Sequence, residues 1–208
     1  MNRAELKAKA KEQIKGNIGT LFVMMLIVGL VGGLLNLIPG IGTIASLLLT
    51  PAFSISIVRA YLTLTKGGTI AIGDVFSGFD DFWSAFKVTF FMGLFTFLWA
   101  LLFYIPGIVK GISYSMAPYI LAENKGKAAL ECINESKAMT NGHKMDLFVL
   151  GLSFIGWFLL GAITLGIAYI WIVPYMSATF ANAYNSLKPV VAEEAVEVES
   201  VDAIPVEE

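Results

Sequence analysis

The chain has 208 residues, 57% hydrophobic and only 14% charged, with a mean hydropathy of +0.75. Soluble domains run at about 45–50% apolar and 25% charged, so this composition excludes an ordinary water-facing surface. The net charge of −2 hides a split: residues 189–208 hold seven acids and no base, leaving 14 basic against nine acidic residues in 1–188. The lone Cys132 excludes an internal disulfide, and the lone His143 excludes zinc sites built on several imidazoles. No cofactor, metal or nucleic-acid partner is expected.

Residues 1–16 place Arg3, Lys7, Lys11 and Lys15 at i, i+4 spacing beside a stripe of Leu6, Ala10 and Ile14, which predicts a basic amphipathic helix. Such a helix either lies on anionic headgroups or anchors the first span by its charge. The apolar run that follows is longer than a signal-peptide core and has no small-residue cleavage site after it, so it reads as an uncleaved signal anchor.

Apolar runs predict an all-α polytopic membrane bundle of six transmembrane helices in three hairpins, at 17–38, 43–65, 84–105, 108–122, 147–165 and 167–187. The turns at 39–42 and 165–167 carry no charge, and with both termini in the cytoplasm every Lys and Arg except Lys110 falls at or near the inner side. The shortest span, 108–122, makes only about 23 Å of helix. Parity keeps it as a crossing, because otherwise Lys125, Lys127, Lys137 and Lys144 would lie outside. A cytoplasmic helix over 127–140 gathers Ala129, Cys132, Ile133, Ser136 and Met139 on one face. Residues 188–208, rich in Val, Ala and Glu with Pro189 and Pro205, read as an acidic disordered tail.

A faint repeat runs through the hairpins: LIPGIG at 37–42 and YIPGIV at 104–109 are each followed by a second proline twelve residues after the first. Pro51, Pro118 and Pro174 are therefore expected to kink the second helix of each hairpin, freeing the carbonyls of Leu47, Tyr114 and Ile170. Ser113, Ser115, Tyr175 and Thr179 are near enough along the chain to serve them, and with Tyr114 these positions are the candidate kink or cavity residues. Helix packing is the plainer use of such residues. Arg59, Lys87 and Lys110 lie within or near spans and can snorkel to headgroups. Together with Arg3, Lys7, Lys11 and Lys15 they are the candidate headgroup contacts.

Catalytic chemistry finds little support. The spans hold no acid, whereas proton relays need buried ionisable groups. Asp80–Asp81 is a single acidic pair in a loop, and KGGTIAIGD lacks the ending of a phosphate-binding loop. No hydrolase motif is present, so the expectation is a protein that is not an enzyme.

Four stretches carry a resemblance: DVFSGFDDF, LFYIPGIVKGISYSMAPYILAEN, ESKAMTNGHKMDLFVLGLSFIGW and TLGIAYIWIVPY, the last followed by Asn182 and Tyr184. Together they resemble the bacterial integral-membrane family catalogued as domain of unknown function 975, from the basic N-terminus to about Leu187. The resemblance implies a multi-pass protein of the bacterial cytoplasmic membrane and carries over no catalytic residues. More loosely, the chain is similar to membrane domains attached to glycerophosphodiester phosphodiesterases. The expected function is non-enzymatic binding or organisation of lipids, of another membrane protein or of a second copy. The alternative is transport or export of an apolar or amphipathic solute along a path lined by the kinks.

Overall fold

The structure, a computed structural model, describes residues 2–38, 40–102 and 104–202, with side chains described for these except Tyr104 and the residues after Lys188. Among the described residues every regular element is helical. Asn2 opens α1 (Arg3–Ile14) by accepting the Glu5 N–H at 3.4 Å, and Glu5 sits in the first turn, where its charge complements the helix dipole. Leu6, Ala10 and Ile14 are the buried residues of α1, the stripe expected from spacing.

A hairpin follows, formed by α2 (Ile18–Asn36) and α3 (Ile41–Thr65). A 3-10 segment, Ile72–Asp81, lies along α3 and leads directly into α4 (Phe82–Leu102). The chain continues through α5 (Tyr104–Tyr114), α6 (Ala117–Glu123), α7 (Ala129–Met139), α8 (Lys144–Leu152), α9 (Ile155–Ile163) and α10 (Tyr169–Asp202). Four stretches are long and apolar enough to cross a membrane: Ile18–Asn36, Ile41–Thr65, Ile72–Leu102 and Lys144–Ile163. In the first and third, only 11% of the most apolar window is buried in the protein. Apolar surface on that scale needs a non-aqueous medium to cover it.

The structure divides two of the six expected spans. Segment 108–122 breaks at Ser115–Met116, and Pro118 begins a new helix instead of kinking an old one, because a first-turn proline sacrifices no hydrogen bond. Segment 147–165 breaks at Ser153–Phe154, between α8 and α9. Pro51 does lie inside α3, and Pro174 falls within α10. Of the repeat, Pro106 is in the first turn of α5, while Pro39 lies outside the described residues. The last helix continues to Asp202, through a stretch where the sequence leads one to expect a disordered tail. Ala and Glu are strong helix formers, and of 189–202 only the backbone is described. Residues 203–208 lie outside the described residues.

The packed core gathers at one end. It joins Leu6 and Ile14 of α1, Tyr61 and Leu64 of α3, Ile120 of α6, Ile133 of α7, and Tyr184 and Leu187 of α10. Here α10 is surrounded, with Tyr175, Ala178, Thr179, Ala181, Asn182 and Ala183 all buried. That accounts for its polar sequence, since this helix faces protein where its neighbours face outward. At the other end the hairpin turns are open and apolar. α7 buries Ala129, Cys132, Ile133, Ser136 and Met139, the five residues that its periodicity places on one face.

Candidate functional site

The core end is tied together by polar nodes. In the first, Arg59 of α3 pairs with Asp81 at 2.5 Å, donates from Nε to the Ala122 carbonyl at 3.2 Å, and donates from Nη1 to the Ser77 carbonyl. The two side chains are only 12% and 13% exposed. Arg59, offered by the sequence as a headgroup contact, is instead directed at three protein partners. Asp80 pairs with Lys125 at 2.9 Å, so each member of the Asp80–Asp81 pair has its own cation.

The second node centres on Glu123, at the end of α6. Lys66 approaches it at 2.6 Å, Tyr184 donates to it at 2.8 Å, and Lys188 pairs with it. Tyr184 also stacks on Tyr119, and Asn185 donates to Thr65 at 2.8 Å. Burial alone would raise the carboxyl pKa, but the hydrogen bonds from Lys188, Lys66 and Tyr184 outweigh it and hold Glu123 below its usual 4.5. A carboxylate depressed in the folded state contributes stability that is present above the ordinary value and lost as pH falls through the folded one. Thermal unfolding in mild detergent should therefore show Tm dropping as pH falls below 4.5, and Glu123→Gln should lower Tm at neutral pH and flatten that acid decline.

The third node mends the break between α5 and α6. Ser136 of α7 accepts the Met116 N–H at 3.1 Å and donates to the Ser113 carbonyl at 2.7 Å, which Thr140 also reaches at 3.3 Å. One buried hydroxyl thus satisfies a donor and an acceptor left over by the interruption. The candidate hydroxyls act more locally than expected: Ser113 donates to Val109, Ser115 to Ile112 and Thr179 to Tyr175, each within its own turn. Tyr114 is buried beside the break, with the Lys137 ammonium 5.7 Å from its ring centroid.

Fourth, α1 docks on α10 through a reciprocal amide pair. Gln13 donates to Asn182 at 3.1 Å, and Asn182 donates back at 2.6 Å. Lys7 lies 4.4 Å from the Phe154 ring centroid and donates to the Ser153 carbonyl at 3.4 Å, at the α8–α9 break. Lys11 lies over Tyr175, which packs against Phe154, Trp157 and Trp171. Desolvation, then repulsion from Lys11 and Arg3, pulls the Lys7 pKa down. Arg3, Lys15 and Lys87 are exposed, and Lys110 lies 4.6 Å from the Trp99 ring centroid.

Sequence reasoning missed Glu123, Ser136 and the Gln13–Asn182 pair as organising residues. Their partners lie 20 to 169 residues away, beyond the reach of periodicity. Cys132 is fully buried on α7, and burial pushes its thiol up to about 11. It should stay unmodified by maleimide in the folded protein and react fully in SDS, as read by intact mass.

Two apolar grooves open on the flanks. One of about 460 Å³ lies between α5 and α8, lined by Ile105, Ile108, Val109, Ile112, Met145 and Phe148, with Lys144 also in its wall. The other, about 320 Å³, lies between α3 and α4 and includes Pro51. Neither groove is lined by Pro118 or Pro174, so the three prolines do not share one of these spaces. A polar cleft of about 660 Å³ at the core end is bounded by Lys9, Gln13, Thr65, His143, Asn182 and Asn185 among others.

No curated protein and no solved structure matches the chain. A family profile does match, over residues 1–113 and 104–190, leaving out only the acidic end of the chain. By that match the chain belongs to the family described as Protein of unknown function (DUF975).

Proposed function

We propose that this is an integral protein of the bacterial cytoplasmic membrane, with six membrane segments in three hairpins and both termini inside, that binds lipid without chemically changing it. The observation that carries this reading is the α5–α8 groove, whose apolar walls include a single amine, Lys144. Its volume lies within the range of ordinary small-molecule pockets. An acyl chain along Ile108 and Phe148 would bring an anionic headgroup within reach of the ammonium. The one-sided distribution of Lys and Arg supports the orientation. Native mass spectrometry in mild detergent tests the reading: the wild-type protein should retain anionic phospholipid, and both Lys144→Glu and Ile108→Trp should lose it. Equal retention by all three would refute the groove as a lipid seat.

Passage of an amphipathic solute is the second reading, favoured by the groove that Pro51 lines. Solute flux into proteoliposomes that is lost in Phe90→Trp would support it over static binding.

A further inference from the structure

We infer that the three hairpin turns end within the hydrocarbon of the bilayer instead of emerging into water on the far side, so that acyl chains are what covers them. This rests on the reading that the core end faces the cytoplasm. Each turn sits inside a stretch free of charge: 16–58, 88–109 and 147–187 contain no Asp, Glu, Lys or Arg. Leu37 and Ile41 of the first turn, Leu101 and Ile105 of the second, and Ile163 and Leu165 of the third are each at least 70% exposed. A helix end that meets water normally carries polar or interfacial anchors. The turns themselves present leucine and isoleucine, and Trp99 with Lys110 on the second hairpin and Tyr169 on the third lie about one helical turn back from them.

At the first and third turns several polar groups are provided for from within. Asn36 donates its side-chain amide to the Gly32 carbonyl at 2.7 Å. Thr164 donates to Leu160 at 3.0 Å and accepts the Ala168 N–H at 3.2 Å. The N–H groups of Ile38, Gly166 and Ile167 find carbonyls at 3.1, 2.8 and 3.1 Å. Irregular backbone can stay in hydrocarbon only when it satisfies itself in this way.

The hairpins are also shut. A methyl group on Gly42 would come within 1.7 Å of the Leu35 carbonyl oxygen, one on Gly107 within 2.7 Å of Ala100, and one on Gly161 within 2.5 Å of the Tyr169 ring. Helices in such contact leave no gap for water between them. Leu165 is the sharpest sign. Its φ of 52° lies in the left-handed region where Gly or Asn is usual, yet a leucine occupies it and is 94% exposed. A turn selected for water would use Asn there. A leucine held outward at a conformational cost fits a turn covered by acyl chains.

The test uses single cysteines in the full-length Cys132→Ala chain: Leu37→Cys and Leu165→Cys at turns, with Glu12→Cys on exposed α1 as the reference. A membrane-impermeant maleimide is added to intact cells and to inverted vesicles. The expected result is that Glu12→Cys is modified in inverted vesicles only, while the two turn cysteines are modified in neither until SDS is added. After labelling with NBD in detergent and reconstitution, their fluorescence should be quenched by phospholipids carrying doxyl groups on the acyl chains. Modification of Leu37→Cys or Leu165→Cys in intact cells would overturn the inference by placing the turns in water. Protection without doxyl quenching would overturn it too, by showing that protein covers them. Modification of Glu12→Cys in intact cells would instead overturn the orientation on which the inference rests.

Discussion

Replacing Arg59 with Met is expected to destabilise the protein by about 3–5 kcal/mol, the usual penalty for leaving a buried carboxylate without its cation. The size follows from what the guanidinium holds. It joins α3 to Asp81 at the end of the 3-10 segment just before α4, to the Ser77 carbonyl within that segment, and to the Ala122 carbonyl in the last turn of α6. With side chains only 12% and 13% exposed, water can do little for the abandoned Asp81. Thermal unfolding in mild detergent reads the loss. Adding Asp81→Asn to the Arg59→Met chain should restore part of it, since the uncompensated charge is then gone, and the double-mutant cycle isolates the pair. A loss below about 1 kcal/mol would mean that the pair behaves like an exposed ion pair.

Ser136→Ala is expected to cost about 1–3 kcal/mol, the price of orphaning a buried backbone N–H. The Met116 N–H loses its acceptor outright, whereas the Ser113 carbonyl keeps Thr140 at 3.3 Å. The effect should therefore be local as well as global. Amide hydrogen exchange over residues 113–117 should accelerate more than exchange in α2 or α3, because α7 no longer braces the interruption between α5 and α6. Unchanged exchange at Met116 would show that the break holds itself together without Ser136.

The two substitutions mark where the sequence was readable. Strong apolar runs made α2, α3 and α4 legible to within a few residues, since 19 to 25 largely apolar residues in a row satisfy their own backbone in lipid only as a helix. Three-to-four periodicity exposed the Leu6–Ala10–Ile14 stripe and the buried face of α7. Hydropathy is blind, however, to where a helix stops inside an apolar run. The breaks at 115–116 and 153–154 interrupt continuous apolar sequence, and the first is sustained by a serine 20 residues away. The partners of Arg59 were out of reach of the sequence for the same reason. Its position near the end of a span is equally consistent with a lysine-like reach toward headgroups and with a partner in the following loop, and only the fold brings Asp81 to it. Asn182 and Tyr184 stood out only through family resemblance; their work, pairing with Gln13 and Glu123, is tertiary.

The orientation of the packed, charged end can be tested by placing a protease-cleavable tag at each terminus and adding protease to intact spheroplasts and to inverted membrane vesicles. Both tags should survive in spheroplasts and be cut in inverted vesicles. Cleavage of either tag in intact spheroplasts would place that terminus outside and contradict three hairpins that enter the membrane from the cytoplasm.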